Sequence, residues 1–210
     1  MGMEARDFSR VRHHDTLVGS SEVIVGLLNE RFVTNKNVKD LTTWNYTNLF
    51  PTIKGIEIEE LFDTQEFFDK LKWKDGAVEF INRFPDKIII LSKGNALNLT
   101  RKKLWIRKQF PNIKFIGLES DVSKASINMG RGDCIIDDHA DNLLDVKAEY
   151  RIMFESFKHV EWNDKFYKHI YGKKMQDYNY NKYNCSYKIN DLIMDSWKDI
   201  EEFVDNEVDK

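Results

Sequence analysis

Two adjacent aspartates, Asp137 and Asp138, directly follow the short apolar run 134–136. Carboxylates held close together in a buried place raise one another's pKa, and a hard divalent cation such as Mg²⁺ relieves that repulsion. Such a cation, held by one or two carboxylates and a substrate phosphate, is common in phosphoryl-transfer sites. The alternative is that both aspartates cap a following helix at 139–144, where the helix dipole favours acidic side chains.

A hydroxyl and two lysines stand where they would complete such a site. Ser92 follows the apolar run 88–91, and the backbone amides of Lys93 and Gly94 would form a nest for a phosphate. A plain helix cap is the alternative for this segment. Lys124 lies between this segment and the acidic pair, although a single lysine is most often a surface residue. In combination, these residue types predict a site that binds a phosphate ester.

The elements that must position these groups alternate between helix and strand. Apolar periodicity and turn residues predict helices at 21–32, 57–72, 75–84, 97–110 and 196–204, and strands at 87–91, 113–117, 134–136 and 151–154. In the helix 97–110 we expect Leu104 and Trp105 to face inward. Short apolar strands separated by helices predict an α/β fold with a doubly wound parallel sheet, whose ligands bind at the carboxyl ends of the strands. The serine and the two aspartates fall at those ends.

The composition excludes several classes of protein. The 210 residues suffice for one domain, or one domain with a small insertion, and 41% hydrophobic residues are enough for a sizeable core. A formal net charge of −3 predicts no binding to a nucleic-acid polymer. No apolar run reaches the length of a membrane span, and Cys134 and Cys185 cannot form a disulfide framework or a zinc site. We therefore expect a cytoplasmic protein without membrane contact.

The order of these segments resembles the haloacid dehalogenase (HAD) phosphatase superfamily, and more narrowly its 5'(3')-deoxyribonucleotidase branch. The similarity is carried by the strand and serine at 88–92, the helix at 98–105 and the acidic motif at 134–143, which is the most specific. Residues 15–18 resemble the tail of the first superfamily motif, and 41–44 resemble the start of the branch's helical cap.

The resemblance implies a fold, a substrate and a cofactor. The fold is a HAD-like α/β core at 1–35 and 73–210 with a small helical cap at 36–72. The activity is that of a Mg²⁺-dependent phosphatase acting on nucleoside monophosphates or another small phosphate monoester, with a homodimer left open. The residues that it assigns are Ser92, Lys93 and Lys124 for phosphate binding, Asp137 and Asp138 for the metal, and Trp44 and Tyr46 for stacking on a base. The alternative for the two aromatic residues is that they form the insert's own small core.

The first motif departs from the family pattern. That motif reads Asp-x-Asp-x-Thr, and aligning its threonine with Thr16 places Arg12 and His14 where the family has its nucleophile and its acid–base aspartate. Arginine stays protonated and cannot attack phosphorus. The candidate catalytic residues are therefore His14 and Asp15, the nearest remaining carboxylate. Polar residues at 8–12 also match the expected apolar first strand poorly. The alternative function is a catalytically inactive relative that binds a nucleotide or a protein partner.

Overall fold

A parallel sheet of six strands forms the centre of the protein. The computed structural model describes residues 10–12 (backbone), 15–43, 45–155, 163–171 and 190–208. The strands are β1 (Arg10–Arg12), β2 (Ile89–Lys93), β3 (Lys114–Leu118), β4 (Cys134–Asp137), β5 (Tyr150–Phe154) and β6 (Asp191–Met194). Their order across the sheet is β3-β2-β1-β4-β5-β6, and each neighbouring pair is parallel. The predicted α/β fold with a parallel sheet is confirmed.

Eight α-helices connect or flank the strands in the part of the chain that the structure describes. They are α1 (Ser20–Phe32), α2 (Gly55–Leu61), α3 (Gln65–Lys70), α4 (Ala77–Arg83), α5 (Ala96–Gln109), α6 (Ala140–Leu144), α7 (Asp164–Tyr171) and α8 (Trp197–Phe203). The helix predicted at 57–72 is two helices, because the Thr64 hydroxyl accepts a hydrogen bond from the Phe67 amide and so caps a new helix there. None of the described helices is long and apolar enough to cross a membrane.

Strand β1 takes the middle of the sheet despite its polar sequence. It pairs with β2 through Arg12 and Leu91 and with β4 through Val11 and Ile136. A strand in that position is fixed by two neighbours, so backbone pairing decides its conformation rather than side-chain type. The carboxyl end of β1 therefore lies between the carboxyl ends of β2 and β4, which carry Ser92 and Asp137.

Alternate residues of the strands pack on opposite faces of the sheet. Ile90 and Ile136 belong to the apolar cluster that contains Trp197 of α8, whereas Leu91 and Ile135 belong to the cluster that contains Phe166 of α7. This alternation is what a sheet buried on both faces requires. Helices therefore cover both faces, as a doubly wound sheet predicts.

The inward face of α5 differs from the prediction. Leu104 is 60% exposed, while the buried positions of this helix are Asn98, Lys102 and Ile106. These three residues are four apart, so they share one side of the helix, and Leu104 lies on another side. The prediction for Leu104 was wrong, whereas Trp105 is half-buried and packs on Trp73 with ring centroids 4.7 Å apart.

The chain leaves the sheet region at Val18 and re-enters it at Trp73, and these two crossings lie side by side. Val18 and Trp73 form an antiparallel bridge, and the Lys74 amide donates to the Leu17 carbonyl at 2.8 Å. Between these two crossings, α1 packs against α2 and α3. The helices between Gly19 and Lys72 therefore contact one another, and the predicted division at residues 35 and 36 stays a prediction.

Gly76 is held in a conformation that favours glycine. Its φ is +82°, and a Cβ built there would lie 2.9 Å from the Trp197 Cβ. We expect Gly76→Ala to lower the free energy of unfolding by about 1–3 kcal/mol. Both the strain of the left-handed backbone and the clash with the buried Trp197 contribute to this loss. Urea denaturation measures the change.

Gly26 is the matched control, since it lies inside α1 with open space around its Cα. We expect Gly26→Ala to raise the free energy of unfolding by about 0.5–1 kcal/mol, because alanine is the better helix former. Equal denaturation midpoints for the two variants would contradict the assignment of strain to Gly76.

Candidate functional site

Three carboxylates are buried at the carboxyl edge of the sheet. Asp15 follows β1, Asp137 ends β4 and Asp138 comes next, and each is at most 3% exposed. The Thr16 hydroxyl donates to Asp138 Oδ1 at 3.1 Å, which links the segment after β1 to the segment after β4. The order of the strands thus brings together side chains that are 122 residues apart in the sequence.

Asp15 is fixed by hydrogen bonds on both oxygens. Its backbone is left-handed, with φ +46°, and its carboxylate accepts from the Ser21 amide at 2.9 Å and from the Ser21 hydroxyl at 2.6 Å. The Ser21 hydroxyl also shares a hydrogen bond with the Tyr46 hydroxyl at 2.7 Å. Tyr46 therefore lies against the carboxylate that sequence analysis selected, one hydroxyl away from it.

The pKa of Asp15 is raised from 3.8 to about 7. Burial is the main cause, the charges of Asp138 and Glu22 add to it, and the hydrogen bonds from Ser21 oppose it. The pKa of Tyr46 is also raised, first by burial and then by the charge of Asp15. Excess negative charge is thus confined at this edge, and a cation placed there would stabilise the ionised form of Asp15.

Asp137 is neutralised by a lysine. Lys124 is buried and its Nζ lies 2.5 Å from Asp137 Oδ2. Asp137 Oδ1 accepts from the His139 amide at 2.9 Å and from Asn142 Nδ2 at 3.1 Å. The alternative interpretation was that the two aspartates cap the following helix. It holds in part, because Asp137 accepts a hydrogen bond from a backbone amide at the start of α6. Lys124 is therefore buried, whereas most lysines lie at the surface.

A cavity of about 290 Å³ opens beside Asp15. Its lining includes Tyr46, Lys93, Gly94 and Lys102. The predicted backbone nest is incomplete, because the Gly94 amide donates to the Leu118 carbonyl at 3.0 Å. Positive charge at this cavity comes from side chains rather than from that amide.

Ser92 lies at the end of β2 with its hydroxyl buried. The Ser92 Oγ has no hydrogen-bond partner among the described residues. A buried hydroxyl without a partner is unfavourable by about 1–3 kcal/mol, so such atoms usually mark the place of a ligand or water. This hydroxyl is the polar atom of the site that most clearly calls for a ligand.

Sequence analysis missed Lys102. This lysine is 1% exposed, and its Nζ donates to the Lys93 carbonyl at 2.7 Å, directly beside Ser92. A buried ammonium is unfavourable unless hydrogen bonds or negative charges compensate it, and an anion bound in the cavity would add to that compensation. The available signal was the spacing of Asn98, Lys102 and Ile106 on one face of α5, which the apolar Leu104 obscured.

The remaining predicted residues lie outside the described part of the site. His14 and Trp44 are outside the described residues, and of Arg12 only the backbone is described. The structure brings Asp15, Tyr46 and Lys93 to one cavity, whereas Lys124 lies on Asp137. The catalytic and binding roles of all these residues stay predictions.

The donor set fits a magnesium ion in part. The described residues contain no group of three His, Cys, Asp or Glu side chains arranged around a metal position. Mg²⁺, however, is commonly held by one or two carboxylates, with water and substrate phosphate completing the shell. Asp15 and Asp138 are such a pair, since their mutual repulsion contributes to the raised pKa of Asp15. Asp137 is the weaker of the two predicted ligands because Lys124 already neutralises it.

A second cleft, of about 460 Å³, lies beside the end of β5. Glu155 lines it, and burial raises the pKa of Glu155 from 4.5 to about 7, with a contribution from the charge of Asp195. The Tyr167 hydroxyl donates to Glu155 at 2.5 Å and opposes that rise. Sequence analysis did not select Glu155, since a single glutamate after a strand forms no motif.

Solved structures with the same architecture are HAD-type hydrolases. A haloacid dehalogenase-like hydrolase from Streptococcus pneumoniae matches with a TM-score of 0.57 at 9% identity, over 94% of this chain and 98% of that one. A HAD family hydrolase from Deinococcus radiodurans, solved with phosphate and sodium, matches with a TM-score of 0.55 at 9% identity, over 95% and 96%. A HAD-hydrolase from Bacillus subtilis, solved with magnesium, matches with a TM-score of 0.55 at 11% identity, over 96% and 99%. The fold is therefore that of the HAD-like hydrolases.

A comparison with protein families narrows the relationship. The family described as "5' nucleotidase, deoxy (Pyrimidine), cytosolic type C protein" matches residues 17–176. Because this match covers more than half of the chain, the protein belongs to that 5'-nucleotidase family, and the resemblance found in the sequence is confirmed. The match begins at Leu17, after the altered first motif. Comparison with curated proteins finds no match.

The ion pair between Lys124 and Asp137 yields a stability prediction. We expect Lys124→Met to lower the free energy of unfolding by about 3–5 kcal/mol, because it leaves a buried carboxylate without its cation. Adding Asp137→Asn to this variant is expected to recover a large part of the loss, since the buried charge is then removed. Urea denaturation of the single and double variants measures both changes.

Lys147 is the control because it is exposed. Lys147→Met is expected to change the free energy of unfolding by no more than about 0.5 kcal/mol. An equally small effect of Lys124→Met would show that the buried pair contributes little to the fold.

Proposed function

We propose that this protein binds nucleoside monophosphates, or other small phosphate monoesters, with the phosphate against Ser92 and Lys102, and that it hydrolyses them slowly. Family membership supports a phosphatase-type site, and the unpartnered Ser92 hydroxyl is the observation that supports this position most directly. A phosphate oxygen would accept the hydroxyl proton, and the ammonium of Lys102 would offset the phosphate charge.

Two further lysines carry positive charge near the proposed phosphate. Lys93 is half-buried and lines the same cavity, so its ammonium can contact a phosphate oxygen without leaving the wall. Lys124 contributes through Asp137, because the ion pair removes one negative charge from an edge that must accept an anion. We therefore assign direct phosphate contact to Ser92, Lys93 and Lys102, and a positioning role to Lys124.

Magnesium is part of the proposal. Asp15 and Asp138 would hold it, and when bound it would offset the charge of both carboxylates and of the phosphate. The hydrolase from Deinococcus radiodurans was solved with phosphate and sodium and that from Bacillus subtilis with magnesium, which supports a cation and a phosphate as ligands of this fold. Asp137 completes the arrangement by orienting Lys124 and the start of α6.

Slow turnover follows from the residues around the attack position. Hydrolysis through a covalent intermediate needs an anionic nucleophile, and Arg12 cannot supply one. His14 would pass a proton but replaces no carboxylate. Asp15 is the nearest carboxylate, yet both of its oxygens accept hydrogen bonds from Ser21, which lowers their nucleophilicity. This observation also favours the second candidate function, a relative that binds a nucleotide without turning it over.

We propose that the helices between Val18 and Trp73 cover the substrate. Tyr46 lines the cavity, and its hydroxyl contacts Ser21, so its ring stands close to the proposed phosphate position. We propose that Tyr46, together with Trp44, contacts the base, and that the cap comprises 36–72 with α1 packed beneath it. Aromatic side chains provide such contact through stacking.

Phosphate binding is the direct test of the site. We expect Ser92→Ala to weaken the binding of inorganic phosphate, measured by titration calorimetry with MgCl₂ present, by about tenfold, because one hydrogen bond to an anion is lost. Ser126→Ala is the control, since Ser126 is exposed and lies in the short turn Lys124–Ser126, outside the cavity lining. Equal weakening by both variants, or absence of phosphate binding to the unaltered chain, would refute the proposed position.

Restoring the first motif tests the explanation of slow turnover. We expect the unaltered chain to release phosphate from deoxyribonucleoside monophosphates at a rate about 10⁴- to 10⁶-fold below that of a variant carrying Arg12→Asp and His14→Asp, because residues that act as a unit fail together. Adding Asp138→Ala to that variant is expected to abolish the gain. Turnover near one per second by the unaltered chain would show that Asp15 or another residue attacks phosphorus.

A further inference from the structure

Asp63 carries a carboxylate oxygen that has no partner. The residue follows α2 and lines the same cavity as Lys93 and Lys102. Its Oδ2 accepts from Asn95 Nδ2 at 2.7 Å, whereas its Oδ1 is buried and has no hydrogen-bond partner among the described residues. Asp63 is thus an unsatisfied polar group in the lining of this cavity.

The carboxylate of Asp63 is held firmly in relation to the proposed phosphate position. Asn95 follows β2 by two residues, and its Oδ1 accepts from the Asn98 amide at 2.9 Å, which fixes the side chain at the start of α5. Asn98 Nδ2 in turn donates to the Phe62 carbonyl at 2.8 Å, one residue before Asp63. The segment with Asp63 is therefore tied to the loop after Ser92 by two hydrogen bonds.

A buried carboxylate oxygen needs a hydrogen-bond donor. Leaving such an acceptor unpaired is unfavourable, and more so for a charged group than for a neutral one. No described residue supplies that donor to Asp63 Oδ1, and the Nζ of Lys102, which lines the same cavity, donates to the Lys93 carbonyl. A ligand that brings an O–H or N–H group into the cavity would supply this donor.

The sugar of a nucleotide is the part of the ligand that lies closest to its phosphate. Asp63 and Asn95 line one cavity with Lys93 and Lys102, so a sugar attached to a phosphate at Lys102 comes within reach of Asp63 when it enters this cavity. Carboxylates are also the usual partners of sugar hydroxyls in nucleotide sites. We propose that Asp63 Oδ1 accepts a hydrogen bond from a sugar hydroxyl, so that the cavity selects hydroxylated sugar phosphates over phosphate esters without hydroxyls. This inference rests on the proposed function.

Titration calorimetry on the full chain, with MgCl₂ present, tests the inference with two probes. Ribose 5-phosphate carries the hydroxyls, and methyl phosphate carries the same phosphate monoester without them. We expect ribose 5-phosphate to bind about 10- to 100-fold more tightly than methyl phosphate. Asp63→Asn is expected to remove most of that difference, because its amide can still accept from Asn95 but presents a donor in place of Oδ1.

Glu60→Gln is the matched control, since Glu60 is exposed on α2 and loses the same charge outside the cavity lining. It is expected to leave both affinities unchanged. Unchanged methyl phosphate binding by Asp63→Asn shows that this variant keeps its fold and its phosphate site.

The outcomes separate the two proposals. Ribose 5-phosphate binding no more tightly than methyl phosphate, while methyl phosphate binding depends on Ser92, would overturn the role of Asp63 alone. An equal preference for ribose 5-phosphate in Asp63→Asn and the unaltered chain would overturn it as well. If neither probe binds the unaltered chain, the phosphate site and the inference built on it are both wrong.

Discussion

Burial of three carboxylates at one edge of the sheet is the constraint on which the rest of the structure depends. A buried charge is tolerated only when hydrogen bonds or an opposite charge compensate it. Asp137 has Lys124, Asp138 has the Thr16 hydroxyl, and Asp15 has Ser21. Each partner comes from a different segment of the chain, so the compensation is complete only when β1, β4 and the start of α1 are in place together. The site and the fold therefore form as one unit.

The negative charges of the three carboxylates are not compensated equally, and this difference decides which chemistry the sheet edge can perform. Asp137 has a full cation, whereas burial and the nearby charges of Asp138 and Glu22 raise the pKa of Asp15 to about 7 despite its hydrogen bonds from Ser21. Ser92 has a buried hydroxyl at the end of β2 without a hydrogen-bond partner among the described residues, and the buried Lys102 lines the cavity beside Asp15. Carboxylates, a lysine and a buried hydroxyl thus lie at one edge of the sheet, and these are the residue types from which sites for a metal ion and a phosphate are built.

The sequence was most informative where local pattern and tertiary role agree. β2 and β4 are short runs of branched apolar residues, buried on both faces, and their ends could be located by the polar residues that follow. β1 could not be predicted, because Arg10–Arg12 is polar and becomes a strand through pairing with two neighbours. β6 was missed because its four residues are too few to show a pattern, and α7 was missed although its buried residues Phe166, Tyr167 and Ile170 recur at helical spacing. At α5 the prediction for Leu104 was wrong because Asn98 and Lys102 occupy the buried face, where apolar residues are ordinarily expected.

The paired crossings at Val18 and Trp73 have a consequence for how such a chain can change over evolutionary time. Because the two ends of the intervening helical segment are hydrogen-bonded to each other, that segment resembles an inserted domain whose ends lie close together. A tight turn, or a different set of helices, could join the same two ends without moving β1 or α4. The helical segment can therefore be exchanged as a module, while the sheet edge stays unchanged.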